Sequence, residues 1–280
     1  MISVRAIQTG SIRIRPAHLA GRMDHPQWRR RLAILLDRSW TQVLPIHTYL
    51  VEHDEGLFLF DSGETARATS SGFTPWWHPF FRWCVDIQVR PEDEVGPRLR
   101  SIGIDPRRDL RALVLSHLHH DHADGLRHFQ GTPVLVSREN WQASQGLHGT
   151  MAGALPRRWP RWFDPDRLEL SGPPAGPFER THPLTSDGRV FAVPTPGHMP
   201  GHLSLVVRAD DVSYFLAGDA TYSQALLREE VVDGASTSVA TSVATIRRIK
   251  DLARTEPLVL LPAHDPLAVE RLTHKQVLAV

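Results

Sequence analysis

Four histidines and two aspartates lie within the ten residues of SHLHHDHADG, at positions 116–125. His117, His119, Asp121 and His122 follow the spacing H-x-H-x-D-H. In an extended segment alternate side chains point to the same face, so His117 and His119 can bind one metal ion. Asp121 and His122, at the following turn, can then face a second ion. A helix would instead place His117 beside Asp121, so the spacing favours a loop that leaves a strand.

The types of ligand limit the metals that this cluster could bind. Imidazoles with carboxylates and no sulfur suit zinc, and they also accept manganese, iron or cobalt. Cys84 is the only cysteine of the chain, which excludes an intrachain disulfide and a site built from several thiolates. For the ten residues taken alone, a solvated histidine-rich turn is the alternative interpretation.

Further residues that can bind metal follow apolar runs elsewhere in the chain. ALVLSH ends at His117, VFAVPTPGH at His198, VSYFLAGD at Asp219 and LVLLPAH at His264. Functional residues often gather at the ends of strands, on the loops that a rigid sheet positions. We therefore expect four strand ends to bring these side chains together at one edge of a sheet.

The rest of the chain alternates predicted strands with predicted helices. ISVRAIQ, VLPIHTYLVEH, LFLFDSG and PVLVS read as strands, with a hairpin turn at 54–56, and residues 202–219 read as two more. Helices are predicted over PEDEVGPRLRSIG, residues 138–143 and residues 239–253. Residues 156–183, rich in proline and glycine, indicate a long surface excursion. Asp124 is a candidate N-cap of the helix that follows the histidine cluster.

Composition limits the class of protein. The 280 residues, 41% hydrophobic and 22% charged with a net charge of +1, indicate one globular domain over residues 1–280. Such a balance lacks the basic face of a nucleic-acid-binding protein. No signal sequence precedes the first strand and no run of 18 apolar residues occurs, so we expect a cytoplasmic enzyme with no membrane partner.

Taken together, H-x-H-x-D-H, TPGHMPGH, AGD and PAHD resemble the motifs of the metallo-β-lactamase superfamily of dinuclear hydrolases. The resemblance covers residues 2–271, in both order and spacing. It implies an α+β fold, a four-layer αβ/βα sandwich with a dinuclear metal site at the sheet edge. The cofactor implied is a pair of divalent metal ions, with Zn²⁺ the first choice.

The same resemblance assigns the ligands. It implies His117, His119 and His198 as ligands of the first metal ion, Asp121, His122 and His264 as ligands of the second, and Asp219 as the bridge between both. His120 and His202 fall outside this set and would hydrogen-bond loops or solvent. Asp61 either orients a metal-binding histidine by accepting its second N–H or is an ordinary turn aspartate.

GDATY, residues 218–222, indicates the substrate. In this stretch the chain resembles the N-acyl homoserine lactone lactonases, in which a tyrosine lies three residues after the bridging aspartate. The resemblance implies that a metal-bridging hydroxide attacks the lactone carbonyl, Tyr222 stabilises the oxyanion and Asp121 protonates the leaving alkoxide. A core tyrosine is the alternative for Tyr222. For the protein, the alternatives are another lactonase, a thioesterase or a phosphodiesterase on the same centre, and a metal-binding redox or sensory module.

An acyl-tailed lactone also needs an apolar wall. The candidates lie in two segments without regular strand or helix patterning, and they are Trp28, Phe73, Trp76, Trp77, Phe80 and Phe81. The alternatives for these aromatic residues are ordinary core packing and a contact in a homodimer.

Overall fold

The computed structural model describes residues 2–280. The strands are β1 (Ser3–Ile14), β2 (Leu44–His53), β3 (Gly56–Phe60), β4 (Val85–Gln88), β5 (Leu110–Val114), β6 (Val134–Ser137), β7 (Asp166–Leu168), β8 (His182–Pro183), β9 (Val190–Pro194), β10 (Leu203–Arg208), β11 (Ser213–Gly218) and β12 (Leu258–Pro262). The α-helices are α1 (Pro16–Leu19), α2 (Gln27–Leu36), α3 (Pro79–Trp83), α4 (Val95–Ser101), α5 (His120–Ala123), α6 (Arg138–Ala143), α7 (Gly146–Ala152), α8 (Gln224–Arg228), α9 (Val239–Thr255) and α10 (Ala268–Thr273). Short 3-10 helices cover Ala66–Thr69, Pro91–Asp93, Asp124–His128 and Pro156–Arg158.

These strands form two mixed sheets. The first has seven strands in the order β4-β1-β2-β3-β5-β6-β7, and the second has five in the order β12-β11-β10-β9-β8. The predicted hairpin joins β2 to β3, with His53 paired to Gly56. From β3 onward the first sheet is parallel, whereas in the second sheet only β11 and β12 pair in parallel among the described strands.

Alternation of buried side chains places each sheet between two apolar layers. On β2, Tyr49 and Val51 belong to the core between the sheets, whereas Leu50 faces the outer cluster that includes Leu99 of α4. In the second sheet, Phe215 of β11 faces outward and packs in one cluster with residues of α9. The order helix, sheet, sheet, helix confirms the predicted α+β four-layer sandwich.

Four local predictions are wrong. The segment over 156–183 is more than a surface excursion, because it supplies the short edge strands β7 and β8, one to each sheet. Trp28 lies in α2, and Phe80 and Phe81 lie in α3, although both segments were expected to be irregular. Helix α5 begins at His120, so the histidine cluster is only in part a loop. The carboxylate of Asp124 caps no helix, because it accepts hydrogen bonds from the side chains of Thr65 and Arg67.

The pattern of apolar residues in α2 explains why the sequence did not predict this helix. Its buried residues, Arg30 and Ile34, lie one turn apart and face the protein. The apolar stripe of Trp28, Leu32 and Leu35 faces solvent instead, with exposed fractions of 62%, 44% and 37%. Within residues 2–280, none of the helices combines the length and hydrophobicity that a bilayer span requires.

Candidate metal centre

Strand ends from both sheets deliver the predicted ligands to one place. His117 follows β5 of the first sheet, and α5 then carries Asp121 and His122. His198, Asp219 and His264 follow β9, β11 and β12 of the second sheet. All seven predicted ligands are buried except His119, which is half-buried.

The side chains form two groups, and within each group the potential ligand atoms lie within 4.8 Å of one another. The first group is His117, His119, His198 and Asp219, and the second is Asp121, His122 and His264. Asp219 contacts both groups, because its Oδ1 lies 3.3 Å from Nε2 of His122 and of His264, and its Oδ2 lies 3.6 Å from Nε2 of His198. The carboxylate of Asp219 therefore lies where a bridging ligand is needed.

The five histidines among the predicted ligands share one feature. In each, the ring nitrogen that is turned away from the centre forms a hydrogen bond. The acceptors are Ser116 Oγ for His117 (2.9 Å), the Ala152 carbonyl for His119 (2.7 Å), Asp61 Oδ2 for His122 (2.8 Å), Asp233 Oδ2 for His198 (3.2 Å) and the Pro45 carbonyl for His264 (2.9 Å). Each hydrogen bond fixes the orientation of its ring, so that the other nitrogen is turned toward the centre.

Three buried polar atoms at the centre have no hydrogen-bonding partner among residues 2–280. They are Nε2 of His117, Nε2 of His122 and Oδ1 of Asp219. Burying unpaired polar atoms is unfavourable, and imidazole nitrogens beside carboxylate oxygens are ligands of divalent transition metals. These residues therefore fit a pair of divalent ions.

The protonation states agree with this interpretation. Burial lowers the pKa of His117 and His119 well below the usual range, which keeps both imidazoles neutral. Burial opposes ionisation of Asp219, but His264 and His122 outweigh that effect and hold its pKa well below the usual range. Burial also disfavours a charged His264, yet Asp219 and Asp121 raise its pKa to about 10. A metal ion bound there would replace that proton, so metal affinity at the second group is expected to fall in acid.

Asp61 holds the two halves of the histidine cluster together. It is a buried residue with φ of 65° directly after β3. Its carboxylate accepts hydrogen bonds from Ser116 N (2.7 Å), Ser116 Oγ (2.8 Å) and His122 Nδ1 (2.8 Å). Of its two predicted alternatives, the contact with His122 is the one present.

The two histidines outside the ligand set have structural partners. His202 donates from Nδ1 to Thr195 (2.8 Å) and accepts from the backbone N–H of Asp219 (3.1 Å). His120 is buried and donates from Nδ1 to the buried carboxylate of Glu64. Its ring centroid lies 5.1 Å from that of Phe81.

A cavity opens over the centre, lined in part by His119, Asp121, Asp219 and His264. Tyr222 lines the same cavity, and its ring stacks on that of His264 with centroids 5.3 Å apart. Burial, reinforced by Asp219, raises the pKa of Tyr222 well above its usual value, so its hydroxyl keeps the proton. The alternative of a core tyrosine also holds in part, since the ring packs with apolar residues of β1 and β2.

Of the six residues predicted to form an aromatic wall, Phe80 lines this cavity within residues 2–280. Phe73 and Phe81 are buried, in a small apolar cluster with Leu155. Trp28, Trp76 and Trp77 are exposed, by 62%, 80% and 43%. The apolar wall is supplied mainly by residues that the sequence did not single out: Ile12, Ile14, Ile34, Leu35, Val85 and Met151.

Two polar residues of the site were also missed. Asp233 orients His198, and its position within VVDGAST resembles an ordinary turn aspartate. His18 of α1 is buried in the cavity wall, with Nε2 3.4 Å from the hydroxyl of Tyr222. Nothing in the sequence around His18 distinguishes it from a surface histidine.

Comparison with known proteins identifies similar chains. The family model described as the metallo-beta-lactamase superfamily matches residues 41–264. An N-acyl homoserine lactonase of Bacillus thuringiensis is 28% identical over 228 residues, which is 79% of this chain and 82% of that protein. The N-acyl homoserine lactonase AttM of Azorhizobium caulinodans is 25% identical over 225 residues, 80% of this chain and 82% of that protein.

Solved structures share the fold. An N-acyl homoserine lactone hydrolase, with the product N-hexanoyl-L-homoserine bound at its catalytic metal centre, superimposes with a TM-score of 0.74. The two chains are 22% identical, and the match covers 98% of this chain and 96% of that one.

Proposed function

The chain belongs to the metallo-β-lactamase superfamily, and from this premise we propose that it is a metal-dependent lactonase that opens the ring of N-acyl homoserine lactones. The observation that carries the proposal is the position of Tyr222, which lines the cavity beside two adjoining groups of potential metal ligands. The lactonase relatives, 28% and 25% identical, support the same substrate class.

The roles of the residues follow from their positions. Two divalent ions bound at the centre would supply an acidified water molecule as nucleophile and positive charge opposite the developing oxyanion. We propose the ligand assignment of His117, His119 and His198 for one ion, Asp121, His122 and His264 for the other, and Asp219 between them. The Tyr222 hydroxyl then donates a hydrogen bond to the oxyanion of the opening lactone.

Asp121 is proposed to return a proton to the leaving alkoxide. Its Oδ2 lies 3.4 Å from His264 Nε2, and the carboxylate also faces the cavity. Burial opposes ionisation of Asp121, yet His120 and His122 hold its pKa well below the usual range. The carboxylate is therefore ionised at neutral pH and passes on a proton that it receives during the reaction rather than one that it holds beforehand.

A substrate panel tests the proposal. Proton release is measured from acyl homoserine lactones of several chain lengths, with γ-lactones, a glutathione thioester and a phosphodiester in parallel. We expect acyl homoserine lactones to react with the highest kcat/KM, and mass spectrometry to identify the N-acyl homoserine as product. Reaction with the thioester or the phosphodiester alone would assign the centre to another hydrolase of the same superfamily.

We further propose that zinc is the metal and that the chain forms a single domain that associates as a homodimer. The exposed apolar stripe of α2, made by Trp28, Leu32 and Leu35, supports self-association, because monomers seldom expose such a contiguous apolar face. A cytoplasmic location and the lack of a nucleic-acid partner stay predictions from the sequence.

A further inference from the structure

Beyond the metal centre, the cavity wall is apolar except for a few nitrogen-bearing side chains. Ile34, Leu35 and Val85 line this part, in keeping with a hydrocarbon tail. His78, the residue before α3, and Arg31 of α2 line it too. Their polar groups have no function in binding a plain acyl chain.

His78 is buried without a hydrogen-bonding partner. Its exposed fraction is 5%, and neither Nδ1 nor Nε2 forms a hydrogen bond within residues 2–280. The ring packs instead against aromatic neighbours, with centroids 5.7 Å from Trp77 and 4.8 Å from Phe81. Burial lowers the pKa of His78, so the imidazole is neutral and offers one N–H donor. The Met151 backbone lies near the ring and opposes that shift, but it forms no hydrogen bond of ordinary geometry with either ring nitrogen. Leaving such a donor unpaired in the interior is unfavourable unless a ligand satisfies it.

Arg31 differs from the other arginines of its helix. Arg29 lies over the ring of Trp28, and Arg30 donates to the carbonyls of His25 and Ser236. The guanidinium of Arg31, in contrast, has no ion pair or hydrogen bond with any residue that the structure describes. Arg31 is exposed, and it lines the same cavity as His78.

The position of His78 relates this pair to the reacting centre. The ring of Phe81 lies between His78 and His120, with centroids 4.8 Å from His78 and 5.1 Å from His120. His120 adjoins the proposed ligand Asp121 in sequence and lines the same cavity. His78 therefore lines the part of the cavity next to the centre, where the first carbons of an acyl chain would lie, and Arg31 lines the same cavity.

We propose that His78 and Arg31 form a subsite for a hydrogen-bond-accepting oxygen on the acyl chain, as in a 3-oxoacyl homoserine lactone. The inference rests on the proposed function and specifies the substrate class within it. A guanidinium and an imidazole N–H are donors, so a keto oxygen accepts from both, whereas a methylene group leaves the buried imidazole without a partner. The surrounding apolar residues strengthen the contact with the buried His78, while the exposed Arg31 also contacts water.

The test compares two lactones of equal chain length, one with a 3-oxo group and one without, on the metal-loaded enzyme. We expect the wild type to favour the 3-oxo lactone by about tenfold in kcat/KM, the effect of roughly 1.4 kcal/mol. In Arg31→Met this ratio should fall to near one. Arg29→Met, on the same helix but outside the cavity lining, should keep the wild-type ratio. A wild-type ratio near one, or an unchanged ratio in Arg31→Met, would overturn the inference.

His78 is tested with a conservative pair of variants. His78→Leu removes the donor, and His78→Gln keeps one, so the preference should be lost in the first and retained in part in the second. Equal ratios in both variants would show that His78 has a packing role only. Circular dichroism spectra and metal content verify that each variant is folded and loaded.

A second readout separates this inference from the proposed function. Calorimetry measures the affinity of the ring-opened 3-oxoacyl and acyl homoserines, for the wild type and for Arg31→Met. If neither lactone is hydrolysed, the proposed function fails, and equal affinities for the two ring-opened compounds would then also reject the subsite. Tighter binding of the 3-oxo compound that disappears in Arg31→Met would support the subsite independently of turnover.

Discussion

At the scale of single residues, Tyr222 separates the proposed binding of substrate from the binding of metal. It lines the cavity and its hydroxyl stays protonated, yet the residue belongs to neither group of potential metal ligands. Loss of one oxyanion donor of this kind costs roughly 3–4 kcal/mol in the transition state. We expect Tyr222→Phe to lower kcat by about 100-fold or more and to retain the metal content of the wild type. Steady-state kinetics with metal analysis checks both values, and an unchanged kcat would remove Tyr222 from the mechanism.

Asp61 should affect metal affinity without being a ligand. Its carboxylate accepts hydrogen bonds from His122 and from both the N–H and the hydroxyl of Ser116. Asparagine also tolerates the left-handed backbone at this position, but it presents an amide N–H₂ where these donors converge. We expect Asp61→Asn to weaken metal binding by about 10- to 100-fold. Titration against a competing chelator measures this, with the exposed Asp166→Asn as control, and equal affinities would contradict the role.

At this scale, the sequence predicted those site residues that lie close together along the chain. His117, His119, Asp121 and His122 are recognisable because they lie within six residues, and the structure brings them together. Their supporting residues are not recognisable in the same way. Asp233 reaches His198 across 35 positions of sequence, and His18 reaches Tyr222 across 204. Contacts of that kind depend on how the sheets pack, which no local pattern encodes.

At the scale of elements, the close approach of α5 to the loop after β3 positions Asp121 and His122 of the second ligand group. Ser62 binds the carbonyl of His122 through both its N–H and its hydroxyl, at 2.8 Å each. A Cβ on Gly125 would lie 2.0 Å from the carbonyl oxygen of Ser62, so only glycine allows this packing.

Gly125→Ala should therefore destabilise the fold and disturb the metal centre together. The clash falls on backbone, which cannot rotate away, and overpacking of this type costs about 1–3 kcal/mol. Gly103→Ala is the control, because its φ of 83° is unfavourable for alanine by about 1 kcal/mol but its added Cβ meets no atom within 4 Å. Chemical denaturation should give a larger loss of unfolding free energy for Gly125→Ala, accompanied by weaker metal binding. Equal losses with full metal affinity would contradict this account of the packing.

Strands with continuous apolar runs were predicted well, whereas very short elements and a helix with an exposed apolar stripe were not. β2, β5, β9, β11 and β12 are buried along most of their length, so each appears in the sequence as an apolar run. Helix α3 has only five residues, and β8 has two. Helix α2 has a helical period, but its apolar stripe faces solvent, and a pattern alone does not tell which face packs on the protein.

That outward apolar stripe has a consequence at the scale of the whole molecule. Trp28, Leu32 and Leu35 are exposed along one face of α2, and Leu35 also lines the cavity. If a second copy covers this face, Leu32→Arg should convert a dimer into a monomer, because burying an unpaired arginine is unfavourable. Sedimentation velocity measures the change, with Leu267→Arg at another exposed apolar position as control. A wild type that sediments as a monomer would reject the homodimer.

Removal of the metal should also be visible in the stability of the whole chain, since the centre joins ends of strands from both sheets. Ions that bind the folded state alone stabilise it by about 2.7 kcal/mol when free metal is a hundredfold above Kd. Without them, His117, His122 and Asp219 each have a buried polar atom with no partner in the described part of the chain. We expect the loaded protein to contain two equivalents of divalent metal per chain, and dialysis against a chelator to lower its unfolding temperature by several degrees. Re-addition of zinc should restore both activity and stability. A single equivalent, or an unfolding temperature that is the same with and without metal, would contradict a two-metal centre that joins the two sheets.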